Sequence, residues 1–219
     1  MTSRDEFILY LEPDVHTTAR QWIDTFITSS SSRFYPTTAT KYTCHTSMTG
    51  FFELPNDMTV TQFIALIDPL IQKQEFHSIP VIDTNPLLVT KLDTEQREKP
   101  VHLLLPVSVT NSYHEIVENL RRVCSDRQIM IRPKKINHIS LAYWDEPEAT
   151  AEQHEAWQSM VNSGIFEKME ETARTEFQSL SNPRDWHIVL YRRTKKGRQV
   201  GEPHIFAEQA RWKVIPRPM

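Results

Sequence analysis

Apolar residues in this chain alternate between short continuous runs and helical stripes. The run 7–11 (FILYL), closed by Glu12-Pro13, predicts a buried strand. Val15, Ala19, Trp22, Ile23, Phe26 and Ile27 then recur at helical spacing, and the polar tract 28–32 predicts the loop that ends that helix. Residues 41–54 (KYTCHTSMTGFFEL) are strand-like in their Tyr, Thr and Phe content. A second helix is expected over 59–76, with Val60, Phe63, Ile64, Ile67, Leu70 and Ile71 on one face, and Pro69 should kink it or end it early. Residues 78–92 and 101–109, rich in Val, Ile and Leu, predict strands on either side of the charged turn 94–100.

The second half follows the same plan. Ser112 with Glu115 three residues on forms an S-x-x-E capping box, and Ile116, Val117, Leu120 and Val123 give the helix its apolar face. A strand is expected at 136–144 (INHISLAYW), followed by a long helical region over 149–180 broken near Asn162-Ser163-Gly164. Residues 185–193 and 204–214 read as a closing hairpin joined by the basic turn 194–203. Strand, helix and strand thus occur once in each half, each time ending in a strand that carries a histidine. The expected architecture is α+β: a single bilobal domain over 1–219, with two mainly antiparallel sheets facing across a cleft and helices outside.

Composition narrows the chemistry. Only four glycines occur among 219 residues. No GxGxxG, GxxxxGK[ST] or GxSxG can be written, which removes the dinucleotide cradle, the phosphate-binding P-loop and the nucleophile elbow. The formal charge of −3 argues against a protein that coats duplex nucleic acid. Cys44 and Cys124 lie far apart without ligand spacing, so neither a zinc site nor a disulfide framework is expected, and a reducing compartment fits best. The charged start MTSRDEF and the lack of any long apolar run predict no leader and no membrane span, hence a cytoplasmic or nuclear protein.

Two of the nine histidines sit in matching frames, His45-Thr46-Ser47 and His138-Ile139-Ser140. On a strand, residues two apart share a face, so each histidine is expected beside its serine. One such triplet would carry little weight; two in equivalent positions, facing across a cleft, would surround one small anion with two imidazoles and two hydroxyls. That set suits phosphodiester cleavage. An unperturbed imidazole titrates near 6.5, so one ring can accept a proton from water while the other donates one to the leaving oxygen. The serines can donate to the non-bridging oxygens. No metal or cofactor is required.

At these residues, CHTSMTG over 44–50 and NHISLAYW over 137–144, the chain resembles the 2H phosphoesterase superfamily, named for two H-x-[T/S] motifs on two lobes. The second motif looks especially like the fungal and plant cyclic phosphodiesterases, and bacterial RNA-ligase-like members share the fold. The first departs from the commoner H-x-T-hydrophobic form in having Ser47-Met48. The resemblance implies catalysis by His45 and His138 and phosphate binding by Ser47 and Ser140. It also implies His138 as the base and His45 as the acid, although both occupy the same H-x-S frame. The substrate implied is a nucleoside 2′,3′-cyclic phosphate, an RNA end or ADP-ribose 1″,2″-cyclic phosphate, handled by a monomer without a membrane partner. An RNA 3′-end-processing nuclease of the same superfamily and a non-catalytic RNA- or nucleotide-binding module are the alternatives.

Tyr143, Trp144 and Phe51 are the aromatic candidates for stacking on a base. Strand alternation puts Trp144 on the His138 face and Tyr143 on the opposite, buried one. Two basic stretches, 132–135 and 192–198, are placed to steer a phosphate or to serve as solvated turns. Of the remaining histidines, His16, His77, His114 and His154 read as solvated, and His102, His187 and His204 fall in expected strands, as half-buried residues or as minor candidates to line the cleft.

Overall fold

The computed structural model describes residues 5–217; residues 1–4, which begin the charged N-terminal segment considered above for a leader, lie outside it. Fourteen elements follow in the order β1 (Glu6–Pro13), α1 (Thr18–Arg33), β2 (Thr46–Ser47), β3 (Phe52–Glu53), α2 (Val60–Gln72), β4 (Val81–Ile82), β5 (Leu87–Leu92), β6 (Glu98–Ser108), α3 (Asn111–Ser125), β7 (His138–Tyr143), α4 (Ala151–Asn162), α5 (Ile165–Phe177), β8 (Trp186–Lys195) and β9 (Ile205–Lys213). A 3-10 turn, Thr38–Lys41, precedes the first motif.

The strands form two antiparallel sheets. The first runs β2-β1-β8-β9 with β3 also on β1; in the second, β6 pairs with β4, β5 and β7. β1 is central and buried on both faces, which is why its sequence is continuously apolar rather than alternating. Phe7, Leu9 and Leu11 point into a core shared with Ile23 and Phe26 of α1 and Phe63 and Ile67 of α2. Each such side chain contributes on the order of 2 kcal/mol by leaving water. Among the described residues, no helix is long and apolar enough to cross a membrane.

Several local expectations are corrected. The polar tract 28–32 does not end α1: Ser30 donates to the Ile27 carbonyl at 2.7 Å and Ser32 to the Ser29 carbonyl at 3.1 Å, so the hydroxyls are absorbed within the helix. Phe26 against Phe177 and the Arg33–Glu176 ion pair then dock that helix on α5. Val15 and Trp22, counted on its apolar face, are 44% and 42% exposed and lie off the core. α2 stops at Gln72, short of 76 and within a turn of Pro69, in keeping with the expected early end, and a Thr59–Gln62 capping box opens it. The Ser112 box does not form. α3 starts from Thr110, so Ser112 is buried with its hydroxyl on Thr110, and Glu115 accepts from Asn111 instead. The break at Gly164, at φ +76°, separates α4 from α5 as expected.

The larger correction concerns how the halves map onto the sheets. The closing hairpin, β8 and β9, joins the sheet of the first motif by pairing β8 with β1 from Glu6↔Arg193 to Pro13↔Trp186. The first sheet is therefore made from both ends of the chain, and the second from the middle.

Candidate active site

The first motif is folded onto the edge of β1. Ser47 pairs with Tyr10 and Thr46 with Leu11, which puts Ser47 on the Tyr10 face and Thr46 in the interior. Thr49 anchors the bend by accepting the Leu9 amide at 3.1 Å. His45 lies just before the strand. Its Nδ1 is 2.7 Å from the Thr43 carbonyl, an oxygen that can only accept, so Nδ1 carries the proton and Nε2 is left for the cleft. The ring stacks on Tyr10 with centroids 3.8 Å apart. Behind it, the Cys44 amide donates to Asp24, whose other carboxylate oxygen is gripped by buried Arg20; Arg20 also pairs with fully buried Glu12. Burial, and then the Arg20 charge and the facing His138, drive the His45 pKa down to about 4 despite the bond to Thr43.

The second motif opens β7. His138 and Ser140 pair with Pro106 and Leu104 of β6, while Ile139 and Leu141 are buried. Nδ1 of His138 is 2.8 Å from Asn137 Oδ1, which again leaves Nε2 free. Burial lowers its pKa, helped by His102, Lys134 and Lys135.

The two motifs meet. His45, Ser47, His138 and Ser140 line one cleft of about 660 Å³, and neither serine hydroxyl has a hydrogen-bond partner among the described residues. At one end the cleft is closed by a strap in which the Gly50 amide donates to the Arg132 carbonyl at 2.8 Å and the Lys134 amide to the Met48 carbonyl at 3.0 Å. That strap brings Arg132, Lys134 and Lys135, the first basic stretch, onto the wall of the cleft.

Of the aromatic candidates, Phe51 and Tyr143 line the cleft, and Trp144 does not. A bulge explains the exchange. Ser140 pairs with Leu104 and Ala142 with Leu103, so Leu141 is an extra residue that inverts the alternation after it. Tyr143 is thereby turned to the His138 face, and Trp144 instead stacks on Trp157 at 4.8 Å.

Residues outside the two triplets complete the walls. His102 faces Tyr143 across the β6–β7 pair and lines the cleft. Tyr10, Tyr42, Thr43, Thr49 and Asp145 do so as well, and the buried Tyr10 hydroxyl has no hydrogen-bond partner among the described residues. The only signal for Tyr10 in the sequence is the polar atom it places in an otherwise apolar run. His16, His77 and His154 are exposed, and His187 is buried beside Asp14. The second basic stretch is largely paired: Arg192 with Asp5, Arg193 with Glu6, Lys195 with Glu202 and Lys196 with Glu148. No group of three His, Cys, Asp or Glu side chains among the described residues is placed to hold a metal ion.

No family model matches the chain, and no curated protein matches it. Among solved structures it is similar to Usb1 of Kluyveromyces marxianus, at 13% identity over 95% of this chain and 100% of that one, with a TM-score of 0.42. It is also similar to the same protein with uridine monophosphate, at 12% identity over 94% of this chain and 98% of that one, with a TM-score of 0.39.

Proposed function

We propose that the cleft is the active site of a two-histidine, metal-independent phosphodiesterase that opens a cyclic phosphate at a nucleoside or RNA terminus. The observation that supports this most is the convergence of His45, Ser47, His138 and Ser140, from two different sheets, on one cavity with both Nε2 atoms unencumbered. In the reaction one neutral imidazole takes a proton from water, the water oxygen bonds to phosphorus, and the ribose oxygen leaves with a proton from the other imidazole. The product is a phosphomonoester. Ser47 and Ser140 donate to the non-bridging oxygens as their charge builds.

His138 acts as the base and His45 as the acid in this reading. Burial keeps His45 uncharged in the free protein, so the proton it delivers is taken up when the anionic phosphate enters beside it. The leaving group tests the assignment. A substrate with an activated leaving group needs little acid assistance and should rescue His45→Ala far more than His138→Ala. Rescue in the opposite sense reverses the roles, and rescue of neither removes the division of labour.

A second reading, an RNA 3′-end-processing nuclease, is favoured by Arg132, Lys134 and Lys135 along one wall, because a mononucleotide uses at most part of such a row. Turnover of uridine 2′,3′-cyclic phosphate compared with short RNAs ending in a cyclic phosphate or a 3′-hydroxyl separates the two. Binding without turnover of any of them would make the protein a nucleotide-binding module.

A further inference from the structure

Beyond Tyr42, Phe51 and Asp145, which line both spaces, the cleft continues into a smaller cavity of about 200 Å³ walled by Arg193, Lys196, Arg198 and His204. The Gly197 amide lies 2.8 Å from His204 Nδ1. An amide can only donate, so Nδ1 is the acceptor and the proton of the neutral ring is on Nε2. Burial, with Arg193, Lys41 and Lys196 around it, keeps that ring neutral by lowering its pKa to about 4. Its Nε2 lies 3.5 Å from Nη1 of Arg193, another nitrogen that can only donate.

Arg193 is well fixed. Its side chain is 8% exposed, Nε and Nη2 are bonded to Glu6, and the guanidinium lies over the Phe51 ring at 4.0 Å. Two protonated nitrogens therefore face each other at the cavity wall, and both can donate to an anion that enters it. Gly197 is necessary to this geometry, since a Cβ there would meet the Glu202 carbonyl oxygen at 2.0 Å. Of the nearby carboxylates, Glu146 is held by Lys41 and Glu148 by Lys196, while Asp145 stands at the junction with the main cleft. Arg198 has no ion-pair partner among the described residues.

We propose that this cavity is a second anion subsite, in which His204 Nε2–H and Arg193 Nη1–H bind a non-scissile phosphate of the substrate and the guanidinium of Arg198 supplies the charge that holds it. The identity of the ligand rests on the phosphodiesterase reading; the anion site itself does not. The kinetic test compares uridine 2′,3′-cyclic phosphate with its 5′-phosphorylated form and with the dinucleotide ApU carrying the same cyclic end. The wild-type protein should prefer at least one of the latter two by about tenfold in kcat/KM, the equivalent of one charge-assisted hydrogen bond. The ratio should fall to near one in both His204→Ala and Arg198→Ala. A preference for the 5′-phosphate identifies a terminal phosphate, and one for the dinucleotide an internucleotide phosphate. Equal kcat/KM for all three, or a ratio that survives both substitutions, overturns the proposal.

A second arm needs no turnover. Nitrogen-detected imidazole spectra of the wild-type protein should show His204 protonated on Nε2, and added inorganic phosphate should shift that resonance and raise the pH at which the ring titrates. A proton found on Nδ1, or no response to phosphate, rejects the subsite whatever the kinetics show. Absence of turnover with all three substrates would sink the phosphodiesterase reading and leave this arm to decide the subsite.

Discussion

The two histidines proposed as the acid–base pair rest on unmatched supports. His138 begins a six-residue strand in the second sheet, and its ring is oriented by Asn137, its neighbour in sequence. His45 precedes a two-residue strand at a sheet edge, and its position depends on Tyr10 beneath the ring and on the Arg20–Asp24–Cys44 chain behind it. A ladder of backbone bonds can place a side chain with little help, whereas an edge loop needs partners from elsewhere in the chain. The same H-x-S frame is thus local in one place and tertiary in the other.

The sharpest way to break this comparison is to remove each ring. His45→Ala and His138→Ala should each lower kcat by about 10²–10⁴-fold with the fold retained, measured by steady-state turnover and circular dichroism. A folded variant of either kind with near-wild-type turnover ends the two-histidine mechanism. Next in size is the hidden support of the first motif. Arg20→Met leaves Glu12 buried with only Arg211 and Tyr191 to answer it, and should cost about 3–5 kcal/mol. In a chain of this size that corresponds to a fall in Tm of roughly 6–20 °C. A melting curve that does not move would show that the tertiary support is dispensable.

The pH dependence sharpens the comparison electrostatically. Both imidazoles are depressed in the free protein, because burial and neighbouring charge disfavour the protonated ring. The bell of kcat/KM, which reports the free enzyme, should therefore centre below the ordinary imidazole value of about 6.5. Its limbs belong to the coupled pair rather than to either ring. The profile of kcat should lie at higher pH, since bound phosphate favours the protonated ring. An optimum of kcat/KM at or above neutrality would refute the depressed pair. The same shifts affect stability: neutral His45 and His204, both near 4 when folded, favour the native state above the unfolded value, and that contribution is lost as pH falls from about 6.5 toward 4.

Smaller effects follow. Asn137→Ala removes the acceptor that orients His138 and should lower kcat by about tenfold, because the strand still places the ring. A loss as large as that of His138→Ala would show that the local support is no more robust than the tertiary one. Chelation by EDTA should change turnover by no measurable amount, and loss of activity restored by a divalent ion would move the two histidines into ligand roles.

Much of this could be read before any coordinates, and what could not has identifiable causes. The apolar run 7–11 gave β1 directly, and the H-x-S frame of β7 led to the cleft because a period of two needs only neighbouring residues, whereas His45 lies before its strand and is placed by tertiary partners. Trp144 failed as a cleft residue for the reason the β7 frame succeeded: counting by twos cannot anticipate the extra residue at Leu141. Tyr10 and His102 reach the site through pairings with β2 and β7, of which a lone polar atom in an apolar run and a histidine in an expected strand are faint local signs. The equation of halves with lobes failed because strand partnership between β1 and β8 spans almost the whole chain.

That long pairing bears on how the protein is made. The β4–β7 sheet is contiguous in sequence and can assemble while the following segment is still being synthesised, but β1 must wait for β8, its longest partner, encoded far downstream. Until then its Tyr10 face has no β8 beside it, and the shelf on which His45 rests is unfinished. A nascent chain that has already displayed both motifs outside the ribosome therefore still lacks the strand beside Tyr10, and a product cut short before Trp186 keeps every residue of the two H-x-S triplets while losing that wall.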